Sequence, residues 1–538
     1  MKPAPRNLLS LGVVLLILSA GLYALGALWL NTNLQAGDQG AYLHLSLTQK
    51  HGIALTDGNR HPLYSALLLP IAERDPQFFA RARWFSLIIG LLFLGSIAWN
   101  EIGVRKDLLS AFLAMAFLSL HLQMGRTLSE IWCEPLLYFL VYLLWWMLDS
   151  RKATEALSSN RFLILGGVLT GLIYLTKGTG LQVAALFWVT VFIFAKSRLK
   201  TFVGIGVFLL VASPLLAWNT VVYHSPVYSF ASTHNMWFDE ADEIWYDDPE
   251  DLPTLGSYLK THTPTEIAGR LGRGLILESK MAFQLLWSDW KLPEESSLPA
   301  SLVLLAFKVL ILVGLPISIL RLFQGGSDRQ RVASRPALVF FLLMFAFMFP
   351  AFGWYAQLTD APRFIMTLVP IAVVLLGRIL SSSVESTLQQ SGIGSKVLLS
   401  GILIFSLFAI VQTASFAWKT RYFPAPSLDP SSERILEEVN QLPEGAKIAF
   451  GPSHGLPLWL SRPDLEWRPT PWRIDLERFN RMLERERIGY VLLDGETLAR
   501  RPYLAPLAGP SASETLGWRI RSRFRSDTGF FILYELSP

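Results

Sequence analysis

Gly37-Asp38-Gln39-Gly40-Ala41-Tyr42-Leu43 comes shortly after a long apolar run, and Asp57-Gly58-Asn59-Arg60-His61-Pro62-Leu63-Tyr64 follows close behind. Hydrocarbon excludes charge, so a carboxylate at the mouth of a helical bundle can meet a lipid-borne reactant and a water-borne one at once. As a general base Asp38 can take the proton of an attacking hydroxyl. Arg60 and His61 add a cation and hydrogen-bond donors of the kind that hold a phosphate. The same residues also fit plainer roles. Asp38 can be the N-cap of a short helix over 39–50 that lies along a membrane, with Tyr42, Leu43, Leu45 and Leu47 as its apolar contacts. Arg60-His61-Pro62 can be a solvated turn ahead of the apolar stretch Leu63 to Pro70. Capping and catalysis are compatible, because a helix start also sets the direction of a carboxylate.

Further cations recur in similar surroundings. Lys177 sits in Tyr174-Leu175-Thr176-Lys177-Gly178-Thr179-Gly180, a tight hairpin between two apolar runs. A lone lysine there can snorkel to lipid headgroups; the paired glycines also let a phosphate approach the backbone as well as the ammonium. Arg363 follows the turn Asp360-Ala361-Pro362 and opens another apolar run. Arg126, Glu130 and Glu134 flank a further gap. Glu130 and Glu134 are one helical turn apart and are expected on the same side, with a structural Glu–Arg pair and a substrate contact both open. The acidic run Asp239 to Asp251 reads as a solvated face; divalent-metal binding is the sharper alternative, although no calcium-loop spacing appears. Zinc-site spacing, a phosphate-cradling Walker sequence, a dinucleotide fingerprint and a serine elbow are all missing.

The elements that must position these residues are membrane helices. The 538 residues are 52% hydrophobic and only 17% charged, with a mean hydropathy of +0.38, which excludes an ordinary globular enzyme. The net charge of +5 needs no nucleic-acid partner, since the Lys and Arg residues cluster in short gaps between apolar runs. Runs long enough, or nearly so, to cross hydrocarbon cover 8–30, 82–100, 107–123, 131–149, 161–176, 179–196, 200–222, 299–323, 335–352, 363–381 and 396–418, about eleven spans. The first is longer than the core of a cleaved signal peptide and reads as an uncleaved span. Alternate gaps hold Lys2 and Arg6, Arg105 and Lys106, Arg151 and Lys152, Lys196 to Lys200, Arg321 to Arg335, and Arg378 with Lys396. These mark the cytoplasmic side. Segments 31–81, 223–298 and 419–538 then face outward, with an amphipathic helix over 264–290 resting on the bilayer.

After Trp418 the pattern changes. A polar helix is expected over 431–441, and strands over Lys447–Phe450, Tyr490–Leu493 and Phe530–Leu536. The expected architecture is a mainly α polytopic bundle, 1–418, with a small extracytoplasmic α/β domain, 419–538. The single Cys133 leaves no internal disulfide.

The Gly-Asp-Gln-Gly-Ala-Tyr-Leu segment, Arg-His-Pro-Leu-Tyr, the Leu-Thr-Lys-Gly hairpin and the Pro-Arg-Phe opening of a late span together resemble the GT-C polytopic membrane glycosyltransferases. Protein O-mannosyltransferases and bacterial aminoarabinose and lipopolysaccharide-core sugar transferases are the members most similar in these motifs. The resemblance implies transfer of a sugar, with inversion, from a polyprenyl-phosphate donor to a lipid, glycan or protein acceptor. It places the site on the periplasmic face of a bacterial inner membrane, among membrane lipids. It implies Asp38 as the base and Lys177 as a donor-phosphate contact; beside it, the charge that grows on a leaving phosphate is expected to draw on Arg363 and Arg60 as well, and Tyr42, Asp57, His61, Arg126 and Glu130 are the expected substrate contacts. No cofactor is certain, and a divalent metal stays open. Many members carry Asp-Glu where this chain has Asp38-Gln39, so a second acid would come from Asp57 or Glu130. A transporter or flippase of a lipid-linked glycan, and a non-catalytic scaffold, are the alternatives; the matched broken repeats typical of transporters are not found.

Overall fold

The structure is a computed structural model that describes residues 3–30, 34, 38–149, 157–240, 252–287, 305, 308, 332–358, 362–388, 392–421, 428–451, 456–508, 518–526 and 529–536. Its larger part is a helical bundle: α1 (Pro3–Leu30), α2 (Asp38–Lys50), α3 (Pro62–Leu67), α4 (Pro76–Trp99), α5 (Leu108–Ser119), α6 (Leu122–Ser129), α7 (Glu134–Leu148), α8 (Asn160–Thr176), α9 (Gly180–Phe194), α10 (Thr201–Tyr223), α11 (Pro264–Trp287), α12 (Arg335–Ala356), α13 (Val369–Leu388) and α14 (Gly392–Thr420). Local chemistry sets several of these starts. Asp75 accepts from the Phe78 amide with Pro76 in the first turn of α4, and Ser159 and Ser334 cap α8 and α12 in the same way.

Among the described residues five helices are long and apolar enough to cross a membrane, or six if the bent pair α6–α7 is one span; four shorter apolar helices accompany them. The chain is a multi-pass membrane protein. The expected span 299–323 lies outside the described residues apart from 305 and 308. The expected span 107–123 is shorter than its apolar run: α5 ends at Ser119, and α6 then meets α7 at a bend of 112°. That bend also separates Glu130 from Glu134. The chain between them is not helical, Pro135 lies in the first turn of α7, and the one-turn spacing therefore does not put the two acids on one face. The amphipathic helix expected over 264–290 is α11.

Beyond the bundle, α15 (Pro430–Asn440) and α16 (Leu476–Glu486) accompany a five-stranded sheet. The strands are β1 (Lys447–Phe450), β2 (Glu466–Pro469), β3 (Tyr490–Asp494), β4 (Arg519–Ser526) and β5 (Gly529–Glu535), in the order β2-β1-β3-β5-β4. β1 runs parallel to β2 and β3, and β5 lies antiparallel between β3 and β4. β1, β3 and β5 match the three strands expected from hydropathy. β2 and β4 escape it, because Glu466-Trp467-Arg468 and the Arg-rich 519–526 put charges on edge strands. Phe479, Met482 and Leu483 of α16 bury one face of the sheet with Val491 and Ile532.

This sheet is seated on the bundle. Trp459 is fully buried, donates its indole N–H to the Leu34 carbonyl at 3.1 Å and meets Phe78 edge-on at 6.1 Å. One continuous apolar core therefore runs from the bundle into the C-terminal domain.

Candidate active site

Where the domain meets the bundle lies a cavity of about 1420 Å³. Asp38, in the first turn of α2, points into it and takes one guanidinium on each oxygen. Arg60 Nη2 donates to Oδ1 at 2.5 Å and Arg363 Nη2 to Oδ2 at 2.6 Å. Burial pushes the carboxyl up, but the attraction of Arg60 and then Arg363 outweighs it and holds the acid well below the usual carboxylate range. Asp57 orients Arg60: it accepts from the Arg60 and Asn59 amides at 2.6 and 2.9 Å and from Arg60 Nη1 at 2.7 Å. Arg60 also lies over the Tyr42 ring at 5.7 Å.

Lys177 ends α8 in an extended conformation, after which the chain turns at once into α9. Gly180 permits that turn: a Cβ there would lie 2.4 Å from the Ile173 carbonyl oxygen. The Lys177 ammonium donates to Glu134 Oε1 at 2.6 Å and lies 4.6 Å from the Phe364 ring centre. The same Glu134 oxygen stands 3.7 Å from Arg363 Nε, so Arg363 links the two acids. Its guanidinium lies over Trp132 at 5.0 Å, and Tyr138 holds its carbonyl with a 2.7 Å hydrogen bond.

His61 donates Nδ1–H to the Tyr174 carbonyl at 2.5 Å, which leaves Nε2 as an acceptor beside Gly178. Burial lowers its pKa to about 4, and the ring is neutral at physiological pH. It can accept a hydrogen bond from a hydroxyl without adding charge.

The whole chain is similar to ArnT from Cupriavidus metallidurans in its apo state, with a TM-score of 0.50, 14% identity and 97% of each chain covered. The same protein bound to undecaprenyl phosphate is similar with a TM-score of 0.50 and 13% identity, again over 97% of each chain. This chain shares the ArnT fold. An oligosaccharyltransferase from Archaeoglobus fulgidus, in complex with Zn and sulfate, follows with a TM-score of 0.47 and 12% identity, covering 96% of this chain and 72% of that one. No family model matches the sequence, and no curated protein does.

Within this fold Asp38, Tyr42, Asp57, Arg60, His61, Lys177 and Arg363 all line one cavity. Arg126 and Glu130 do not; they stand 3.7 Å apart from one another outside its lining, with Arg126 exposed. Glu134 takes the place expected for Glu130, buried between Lys177 and Arg363. Position 39 serves the bundle and not the cavity. Gln39 is buried and accepts from the Ile131 amide at 2.9 Å, which steadies the α6–α7 bend. An acid there would meet that amide, not the cavity. Among the described residues no three His, Cys, Asp or Glu side chains converge as metal ligands, and residues 241–251 of the acidic run lie outside the described residues. The cations contributed by the C-terminal domain, Lys447, Arg468, Arg485 and Arg487, carry no motif and are brought to the cavity by tertiary packing alone.

Proposed function

We propose that this protein is an inverting glycosyltransferase that moves a sugar from a polyprenyl-phosphate donor to an acceptor hydroxyl outside the cytoplasm. The observation that carries the reading is the convergence of Asp38, Arg60, Arg363, Lys177 and Glu134 in one cavity. The GT-C fold supports it, since a protein of that fold binds undecaprenyl phosphate. Residues 1–418 form the transferase bundle and 419–538 the outer domain, with the distribution of Lys and Arg setting the orientation.

In this scheme the acceptor oxygen attacks the anomeric carbon as the bond from that carbon to the phosphate oxygen breaks. The electron pair leaves with the phosphate, and Lys177, Arg363 and Arg60 stabilise the charge that grows there. The proton of the acceptor goes to Asp38. A carboxylate held low by two arginines is a weak base. The donor phosphate competes for the same guanidinium N–H groups, and as it takes them over it frees Asp38 and raises its basicity. Glu134 and Asp57 keep the cations aimed while the anion is absent.

The test is sugar transfer by the full-length protein in proteoliposomes supplied with polyprenyl-phosphate sugar. Asp38→Asn loses transfer while the protein stays folded; undiminished turnover by that variant eliminates Asp38 as the base. Mass spectrometry of envelope glycolipids and glycoproteins from a deletion strain identifies the acceptor.

A further inference from the structure

Three segments meet around a small gap in the cavity wall: His61 at the start of α3, Gly178 in the turn from α8 to α9, and Ser229. Packing explains only half of the histidine. Nδ1 is bonded to the Tyr174 carbonyl, and the ring meets Tyr174 edge-on at 5.1 Å. His61 occupies the N-cap position of α3 without capping it. Its Nε2 has no hydrogen-bond partner among the described residues, although the residue is only 4% exposed. Burial, and to a lesser degree the nearby Lys177 charge, keep the ring neutral, so this nitrogen is an acceptor. An acceptor left unanswered at such a depth is costly, and the partner that answers it has to enter through the cavity.

Ser229 repeats the pattern. It precedes the single turn Phe230–Thr233 without capping it, is buried, and its hydroxyl bonds to nothing among the described residues. Gly178 keeps the space between the two open. A Cβ there would lie 3.3 Å from His61 Nε2 and 3.6 Å from Ser229 Oγ. The Gly178 backbone is not in the left-handed region, so it is the missing side chain and not the chain path that calls for glycine. Gly178 also follows Lys177 directly, with Cα atoms about 3.8 Å apart.

We propose that His61, Ser229 and Gly178 form the subsite for the hydroxyl on carbon 2 of the donor sugar, and that the sugar is uncharged at that position. This hydroxyl is the one nearest the anomeric phosphate, which Lys177 engages. It donates to His61 Nε2 and accepts from the Ser229 hydroxyl. A hydrogen in its place leaves both groups unanswered, which a site built for a hydroxyl punishes. An ammonium would stand beside the Lys177 charge, and an acetamido group exceeds a gap that one methyl group would fill. The inference rests on the glycosyl-transfer reading above and adds the class of sugar.

The experiment measures binding, to the full-length protein in detergent micelles, of undecaprenyl phosphate and of the same lipid phosphate linked to glucose, mannose, glucosamine or 2-deoxyglucose. 2-Deoxyglucose is the shared deoxy form of glucose and mannose, so one compound controls for both orientations of the hydroxyl. The better of the glucose and mannose lipids binds at least about tenfold more tightly than the 2-deoxyglucose lipid, and the glucosamine lipid gains nothing over the deoxy one. Gly178→Ala, which leaves the His61 bond to Tyr174 in place, and His61→Phe each erase that difference. Both keep the 2-deoxyglucose lipid and undecaprenyl phosphate within about twofold of the wild type, which also shows that they are folded. The subsite is overturned if the 2-deoxyglucose lipid binds as tightly as the glucose and mannose lipids, if the glucosamine lipid equals the better of them, or if the variants weaken every lipid alike, as a purely structural role would. If no lipid of the series binds the wild type, undecaprenyl phosphate included, the donor reading itself falls and the subsite with it.

Discussion

Two charge clusters occupy opposite ends of α7, which begins at Glu134 and is capped by Asp149. Fifteen residues of helix separate them, roughly 22 Å. At the Asp149 end Arg378 makes paired bonds to Glu101, 2.6 Å to Oε1 and 2.9 Å to Oε2, and a third to Asp149 at 2.7 Å. Arg105 joins Asp149 at 3.1 Å, Ser110 and Asn100 donate to Glu101, and Arg378 also donates to the Val332 carbonyl. The side chains of Arg378, Glu101 and Asp149 are at most 1% exposed. At the Glu134 end Arg60, Arg363 and Asp38 use the same chemistry but are 18–31% exposed and border open space. Carboxylates and guanidiniums make a clamp where every oxygen and N–H is answered by the protein. They make a reactive site where a cavity leaves room for a competing anion. Exposure, not residue type, separates the two.

Substitutions at the two ends pull these roles apart. Asp38→Asn lowers sugar transfer by about 10³-fold, or ~4 kcal/mol of barrier, yet shifts stability by less than about 1 kcal/mol because water reaches the freed guanidiniums; turnover and thermal midpoint, measured together, check it. Glu101→Gln does the reverse. It leaves Arg378 and Arg105 to share the one remaining carboxylate, Asp149, and costs about 3 kcal/mol or more of stability, seen as a lower melting point, while any correctly folded fraction keeps its turnover. A large loss of turnover per folded molecule would mean that the closed cluster takes part in the reaction. Lys177→Ala weakens undecaprenyl phosphate by about 30-fold, ~2 kcal/mol; an unchanged affinity would assign Lys177 to Glu134 as a structural partner only.

Trp459→Phe removes the hydrogen bond to Leu34 and costs about 1 kcal/mol, read as a small drop in melting temperature. The smallest effect is a proton response confined to the open end. His61 is held below its unfolded pKa, so the unfolded chain takes up its proton first as pH falls. Stability from this residue is complete well above pH 6.5, declines below it and levels off below about 4. At pH 6 the loss is about 0.8 kcal/mol. His61→Gln removes that part of the slope in a pH series of denaturation midpoints, and an unchanged slope would show that the ring is not held neutral by burial.

Much of the site is legible in residue order alone. Asp38, Arg60, Lys177 and Arg363 stand out because charge beside long apolar runs is costly and rarely incidental. Glu134 is harder to read. Its spacing from Glu130 suggests a shared helix face, and only the break before Pro135 turns one acid inward and leaves the other outside with Arg126. Arg105 and Arg378 read as orientation signals in the gaps between spans; their acids, Glu101 and Asp149, are distant from Arg378 in sequence, and nothing local announces the clamp.

The sequence by itself determined a polytopic helical membrane protein with a small C-terminal α/β unit, because apolar run length and the period of hydropathy are local quantities read directly from residue order. Which cations share an acid, which acid turns inward at the α6–α7 bend, and which domain closes the cavity depend on residues far apart in the chain, 325 positions for Asp38 with Arg363 and 425 for Leu34 with Trp459. Those choices are made by packing of the bundle against the domain around Trp459. Only there do Lys447, Arg468, Arg485 and Arg487 of the domain come to line the same cavity as Asp38 and Lys177.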